Sequence, residues 1–285
     1  MRSAGYTAPM LIPPEAAAEI VFIGGGHMAG ALIGGLLKSG RAPRSILVVD
    51  PAEAQRERVG GAFGVAAQAQ ADARLASAGL VVWAVKPQFF AAAAAPCAPF
   101  VGAALQLSVM AGVRSAAIAA ASGSERVVRA MPNTPALIGR GIAALFAREA
   151  VGSDERATVE ALLAPTGATL WVGREEDLDA VTALSGSGPA YVFYVVEAMM
   201  KAAVDMGLSE AQGRALALAT VDGAAALALQ SPLHPAELRA QVTSKGGTTQ
   251  AALSSLEQDG VGSAIVKAVR AAQARARELG DEFGG

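Results

Sequence analysis

The sequence has few of the residues that carry chemistry by themselves. Its one cysteine, Cys97, excludes a disulfide within a chain and suits a reducing cytoplasm. Its two histidines, His27 and His234, are too few for a histidine metal cluster within one chain, so no metal is expected. No Ser–His–Asp or Cys–His signature is present, so no covalent nucleophile is expected. Charged residues are 17% of the chain and balance to a net charge of -2. No basic run interleaves with aromatics, which gives no reason to expect nucleic acid. Membrane-spanning runs are also missing. The uncharged stretch from Pro87 to Val113 is interrupted by prolines and glycines, and the one from Ala180 to Val196 by Ser185-Gly186-Ser187-Gly188-Pro189. Met1 to Ala18 holds three prolines and no long apolar centre, which makes a poor signal peptide and reads as a loose extension.

What is there in quantity is apolar: 53% of 285 residues, enough to bury a sizeable core in one large domain or two modest ones. Near the start, the β-branched run Ile20 to Ile23 meets three glycines, and a helical pattern follows through Met28, Ala31, Leu32 and Leu36. Gly24, Gly26 and Ala29 fill the G-x-G-x-x-G/A spacing. The first permits the turn, the second admits a pyrophosphate to the backbone, and the small third residue lets helix and strand pack. The free N–H groups of the new helix then face phosphate. Strand, turn and helix in that order predict a dinucleotide site.

A second strand is predicted over Ile46 to Val49, ending at Asp50. Its distance from Gly26 suits an acidic residue on the adenosine ribose, or Asp50-Pro51 is a turn. Arg56 and Arg58 lie just beyond and suit a 2′-phosphate, so NADPH and NADH both stay open. Further strands are predicted over Leu80 to Val85 and Leu105 to Val109. The first places Lys86-Pro87 at the cofactor crevice, where Lys86 is either a ligand or a solvated side chain. The second is followed by Met110-Ala111-Gly112. Val127 to Ala130 leads into the rigid loop Met131-Pro132-Asn133-Thr134-Pro135. Gly141 to Phe146 and Ala168 to Val172 extend the sheet, with a helix over Asp154 to Leu163 between them. The alternation predicts a doubly wound, mainly parallel α/β sheet.

Beyond Arg174-Glu175-Glu176-Asp177 strand signals stop. Helices are predicted over Ala190 to Met206, capped by Gly207, and over Glu210 to Gln230, opened by a Ser209–Gln212 capping box. Both are apolar almost all round, which requires burial on every side. A second subunit covering them is the preferred reading, and cover by the first domain the other. A helix follows from Pro235 to Val242. Thr243-Ser244-Lys245-Gly246-Gly247-Thr248-Thr249 then opens a helix to Gln258, and glycines and hydroxyls there suit a carboxylate. A last helix runs over Val261 to Leu279.

These motifs together resemble the pyrroline-5-carboxylate reductase family: Phe22-Ile-Gly-Gly-Gly-His-Met-Ala29, Ala84-Val-Lys-Pro87, Met131-Pro-Asn-Thr-Pro135, Ser185-Gly-Ser-Gly-Pro-Ala-Tyr191, and His234-Pro235 followed by Val242-Thr-Ser-Lys-Gly-Gly-Thr-Thr249. They occur in family order from about residue 19 to 279. The resemblance implies an N-terminal Rossmann domain (19–174) after the extension (1–18). It also implies an all-α dimerisation and substrate domain (175–285), a homodimer or a larger assembly such as a decamer, and NADPH or NADH. By motif, Ile23, Gly24, Gly25, Gly26, His27 and Met28 would line the pyrophosphate and adjoining ribose. Asp50 would meet the adenosine ribose, and Val85, Lys86, Pro87 and Ala111 the rest of the cleft, with Asn133 and Thr134 near the nicotinamide. Ser187, Gly246, Gly247, Thr248 and Thr249 would meet the substrate, Thr249 as the catalytic hydroxyl. An acidic residue near the substrate matches Glu175, with Glu176 one residue away. The implied activity is reduction of 1-pyrroline-5-carboxylate to L-proline in a cytoplasmic enzyme. The alternatives are a paralogous imine reductase, a β-hydroxyacid-type dehydrogenase, which would need a catalytic lysine such as Lys201, and a non-catalytic nucleotide sensor. Two departures stand out: His27 replaces the usual Asn or Gln, and Lys245 stands where many members have Pro.

Overall fold

A computed structural model describes residues 19–283; the expected extension over 1–18 lies outside them. The chain divides into two compact units, one running to Gly186 and resuming at Ala272, the other spanning Ser187–Ala271.

The first unit is built on an eight-stranded sheet. In chain order it holds β1 (Glu19–Ile23), α1 (His27–Lys38), β2 (Ile46–Val49), α2 (Glu53–Phe63), β3 (Ala66–Gln68), β4 (Ala78–Trp83), α3 (Phe90–Ala94), α4 (Ala98–Val101), β5 (Leu105–Ser108), α5 (Ser115–Ser122), β6 (Val127–Met131), β7 (Gly141–Ala147), α6 (Ser153–Leu163), β8 (Gly167–Trp171) and α7 (Asp177–Val181). The spatial order is β3-β2-β1-β4-β5-β6-β7-β8. Strand β1 lies parallel between β2 and β4, Ile20 meeting Ile46 on one side and Leu80 on the other. Period-two alternation sends Ile20 and Phe22 into one apolar layer with Leu32, Leu36 and Leu163, and Val21 and Ile23 into another with Leu75, Trp83 and Ile118. Both faces are covered, so the central strands read as continuous apolar runs.

Among the described residues only β6 and β7 pair antiparallel. The loop joining them, Pro132 to Arg140, is too short for the crossover a parallel pair needs. Two expectations shift. Strand β4 ends at Trp83 rather than Val85: Ala84 N still bonds Ile23 O at 2.8 Å, and the chain then enters a helical turn that opens at Pro87. The edge strand β3 went unforeseen: Ala66, Ala67 and Gln68 carry no branched or aromatic side chain to announce it.

The second unit is helical: α8 (Gly188–Asp205), α9 (Glu210–Gln230), α10 (Pro235–Gln241), α11 (Thr248–Gln258) and the start of α12 (Val261–Phe283). Gly207, at φ +94, ends α8. The capping box forms as expected, Gln212 N donating to Ser209 Oγ at 3.2 Å and Ser209 N to Gln212 Oε1 at 2.9 Å. Helices α8 and α9 cross tightly where Gly213 faces Ala203; a Cβ at Gly213 would lie 2.9 Å from that of Ala203. Among the described residues no single helix is long and apolar enough to cross a membrane; α9 and α10 reach that composition only as a pair bent by 118°.

Candidate functional site

The glycine turn after β1 sits where the strand order reverses, β2 to one side and β4 to the other, at the carboxyl edge of the sheet. This edge is where open α/β sheets bind ligands. Gly24 adopts φ +99, and a Cβ there would lie 2.7 Å from Ala84 O and 2.9 Å from Val85 Cγ1. Only glycine satisfies both the dihedral and the space. Gly26 is the N-cap of α1 with extended backbone and no side-chain cap, and nothing lies within 4 Å of where its Cβ would stand. The first-turn N–H groups of α1 therefore have open space before them. A dinucleotide's pyrophosphate fits that cradle. Ile23 is sealed beneath it, Met28 is half-buried, and His27 is exposed, lining a cavity of about 320 Å³ with Lys38, Arg58 and Phe63.

Asp50 binds the turn from the side. Its Oδ2 accepts from Gly25 N at 2.7 Å and its Oδ1 from Ala52 N at 2.9 Å. Each oxygen keeps a lone pair for a ribose hydroxyl. Arg56 Nη1 donates to the carbonyls of Asp50 and Pro51 at 2.8 and 2.7 Å, and Arg58 Nη2 donates to Gly25 O. Beyond β4, Val85 and Pro87 are half-buried and Lys86 is exposed; beyond β5, Ala111 is half-buried. The loop after β6 carries Asn133 and an exposed Thr134. Asn133 Oδ1 accepts from Ile142 N at 3.0 Å, and its Nδ2 donates to Ser185 O at 3.2 Å.

Glu175 lies in a network that the motif reading missed. Its Oε1 accepts from Ser115 N at 2.6 Å and from Arg129 Nη1 at 2.8 Å, and its Oε2 accepts from Ser115 Oγ at 2.6 Å. Next to it, Arg114 pairs with the buried Asp179 at 2.9 Å. Burial alone would raise the Glu175 carboxyl, but the two Ser115 hydrogen bonds and Arg129 outweigh it and hold it below its ordinary value. Burial pulls the Arg129 guanidinium down against the contribution of Glu175. The sequence did carry a signal: an arginine inside the apolar run Val127-Val128-Arg129-Ala130 needs a buried carboxylate.

On the second unit, Ser187 is the half-buried N-cap of α8 with no side-chain cap bond. The Thr243–Thr249 stretch is a turn up to Gly247 and helix α11 from Thr248. Gly246 adopts φ +75, and Gly247 is an N-cap without a side-chain cap. Gly246 N donates to Gln250 Oε1. Thr248 and Lys245 are exposed and Thr249 is half-buried. Gly247 N donates to Ser244 O at 3.1 Å, so the turn's own donors are already bonded and the first-turn N–H groups of α11, from Thr248 on, are those left to a carboxylate.

Residues 175–279 match the family profile for pyrroline-5-carboxylate reductase dimerisation, and residues 19–112 the profile for NADP oxidoreductase, coenzyme F420-dependent. The pyrroline-5-carboxylate reductase of Pseudomonas aeruginosa is 41% identical over 269 residues, covering 93% of this chain and 98% of the relative. That of Haemophilus influenzae is 39% identical, covering 91% of this chain and 97% of the relative. Among solved structures, the pyrroline-5-carboxylate reductase of Coxiella burnetii superposes with a TM-score of 0.85 at 35% identity, covering 92% of this chain and 98% of that one. The pyrroline carboxylate reductase of Plasmodium falciparum, solved with NADP bound, does so with a TM-score of 0.83 at 26% identity, covering 92% of this chain and 98% of that one.

Proposed function

The chain belongs to the pyrroline-5-carboxylate reductase family, and from that premise we propose how its residues carry out the reaction. It reduces 1-pyrroline-5-carboxylate to L-proline with NAD(P)H. The observation that carries this reading is a 41% identical relative of that name matching along both units.

When bound, NAD(P)H would supply a hydride to the C=N carbon, which with the ring nitrogen protonated from solvent would give proline and NAD(P)⁺. A protonated imine is already electrophilic, so the protein's task is placement. Gly24 to Met28 hold the pyrophosphate and Asp50 the adenosine ribose. Val85, Lys86, Pro87, Ala111, Asn133 and Thr134 shape the nicotinamide end. The turn at Gly246 and Gly247 presents the N–H of Thr248 to the substrate carboxylate, with Ser187 and Glu175 close to the substrate. The Thr249 hydroxyl bonds the ring nitrogen and either relays or orients its proton. The functional division falls at 174/175, the assembly is a homodimer or a multiple of it, and the protein works in the cytoplasm without nucleic acid or membrane. Lys201 on α8, the residue a β-hydroxyacid-type dehydrogenase would require, is exposed and paired with Asp205 at 3.2 Å, which supports the imine reading.

The test is NAD(P)H oxidation with pyrroline-5-carboxylate, run separately with each nucleotide. Thr249→Ala lowers turnover by roughly 100-fold, the scale of a positioned proton donor, with nucleotide affinity retained. Unchanged turnover removes Thr249 from the mechanism, and a wild-type protein that binds nucleotide without turnover is a sensor instead.

A further inference from the structure

Arg129 is a buried charge with no part in the mechanism above. It lies in β6 with 4% of its side chain exposed. Its Nη1 reaches Glu175, and its Nε is buried without a hydrogen-bond partner. Two residues further along β6, Met131 fills the space beside Gly186, where a Cβ would lie 2.6 Å from Met131 Cε. Beyond the strand, Asn133 donates to Ser185 O at 3.2 Å. Alternation puts Arg129 and Met131 on one face of the sheet. The end of β6 is thus stitched to the segment 175–186 at three successive points, of which only the first is ionic. Ser115 at the start of α5 holds Glu175 from the other side, so the pair cannot slide along the strand.

We propose that Arg129 is a positioning residue for the reduction. Through Glu175 and Ser115 it fixes the Asn133–Thr134 loop against the Ser185–Gly186 turn, without touching substrate. This rests on the reading of the reaction given above. Loss of the clamp lets the loop shift, and misplacement on the order of 1 Å costs about 100-fold in rate. The glycine cradle hangs from other bonds, Gly24 N to Val49 O, Ala84 N to Ile23 O and Gly25 N to Asp50, none of which involves the clamp. The effect therefore falls on turnover, through the nicotinamide end, and spares the pyrophosphate and ribose contacts that carry coenzyme affinity.

The experiment is steady-state kinetics on Arg129→Met, Arg129→Lys, Ser115→Ala, Glu175→Gln and the Ser115→Ala/Glu175→Gln double variant, each assayed well below its own melting temperature. The expected result is a kcat for Arg129→Met lowered roughly 10- to 100-fold with KM for NAD(P)H unchanged, and a large part of that loss recovered by Arg129→Lys. Ser115→Ala and Glu175→Gln move kcat in the same direction, and their double variant falls short of the product of the singles, as members of one unit do. Wild-type kcat in Arg129→Met overturns the proposal. So does a loss of kcat confined to Glu175→Gln, with Arg129→Met and Ser115→Ala at the wild-type value. If Arg129→Met does not fold, the Ser115 and Glu175 variants decide by the same coupling, and additive effects overturn the clamp. A wild type that turns over nothing sinks the reaction and the clamp with it. Turnover with silent clamp variants sinks the clamp alone.

Discussion

By motif Asp50, Asn133 and Glu175 are ligands, and each spends polar atoms on the protein. Asp50 binds two backbone N–H groups, Asn133 one N–H and one carbonyl, and Glu175 a serine and a buried arginine. Each Asp50 oxygen keeps a lone pair and can still accept from a bound molecule, whereas Glu175 Oε1 is filled by Ser115 N and Arg129 Nη1 and a lone pair is left on its Oε2 alone. The pH dependence of stability reports the structural role of Glu175. Its carboxyl is held below its ordinary value in the folded protein. The stability it contributes is therefore fully present above the unfolded value, about 4.3, and is lost as pH falls through the lower folded value. The expected outcome is a melting-temperature gap between wild type and Glu175→Gln that is constant at neutral pH and closes on acidification. A gap that stays constant to the acid limit of folding would contradict this linkage.

At the scale of the element, helix ends carry both stability and function. Helix α9 is closed by a capping box, whereas α1, α8 and α11 begin at Gly26, Ser187 and Gly247 without a side-chain cap. The capped end is a structural stop. Those three uncapped ends are ones the motifs assign to pyrophosphate and substrate, although α2 and α5 also begin without a side-chain cap. Removing the box by Ser209→Ala is expected to cost about 0.5–2 kcal/mol, read as a lower melting temperature at fixed protein concentration, with kcat unchanged. Adding a side chain at Gly26 has the opposite profile: Gly26→Ser keeps the fold, because its backbone is extended and the space is open, while weakening nucleotide binding by filling the cradle. Nucleotide titration checks it, and unchanged affinity would put the pyrophosphate elsewhere.

On the scale of the whole molecule, the second unit has too much apolar surface for one chain. Phe193 is 58% exposed, Tyr194 74%, Leu227 59% and Leu229 84%. Each such side chain is worth about 1.5–3 kcal/mol when fully buried. These residues fall within the segment that matches the dimerisation profile. Self-association is what removes this surface from water. Phe193→Asp is expected to shift sedimentation towards monomer and to lower activity at dilute concentrations, with the first unit still binding nucleotide. A variant that sediments as wild type would place Phe193 outside the interface.

The sequence by itself determined the parts that repeat a local pattern. The four residues of β2 and all of α9 lie where periodicity and caps put them, and the glycine turn follows its β-branched strand directly. Spacing along the chain encodes such features because their forces act within one turn or one strand. Tertiary structure alone decided which side chains hold the site together. Ser115 meets Glu175 across 60 positions of sequence and Arg114 meets Asp179 across 65. The edge strand β3 exists only because β2 offers it hydrogen bonds. Such pairings have no local period; they form when burial leaves a charge or a backbone amide one partner within reach, and only the packed fold defines that partner.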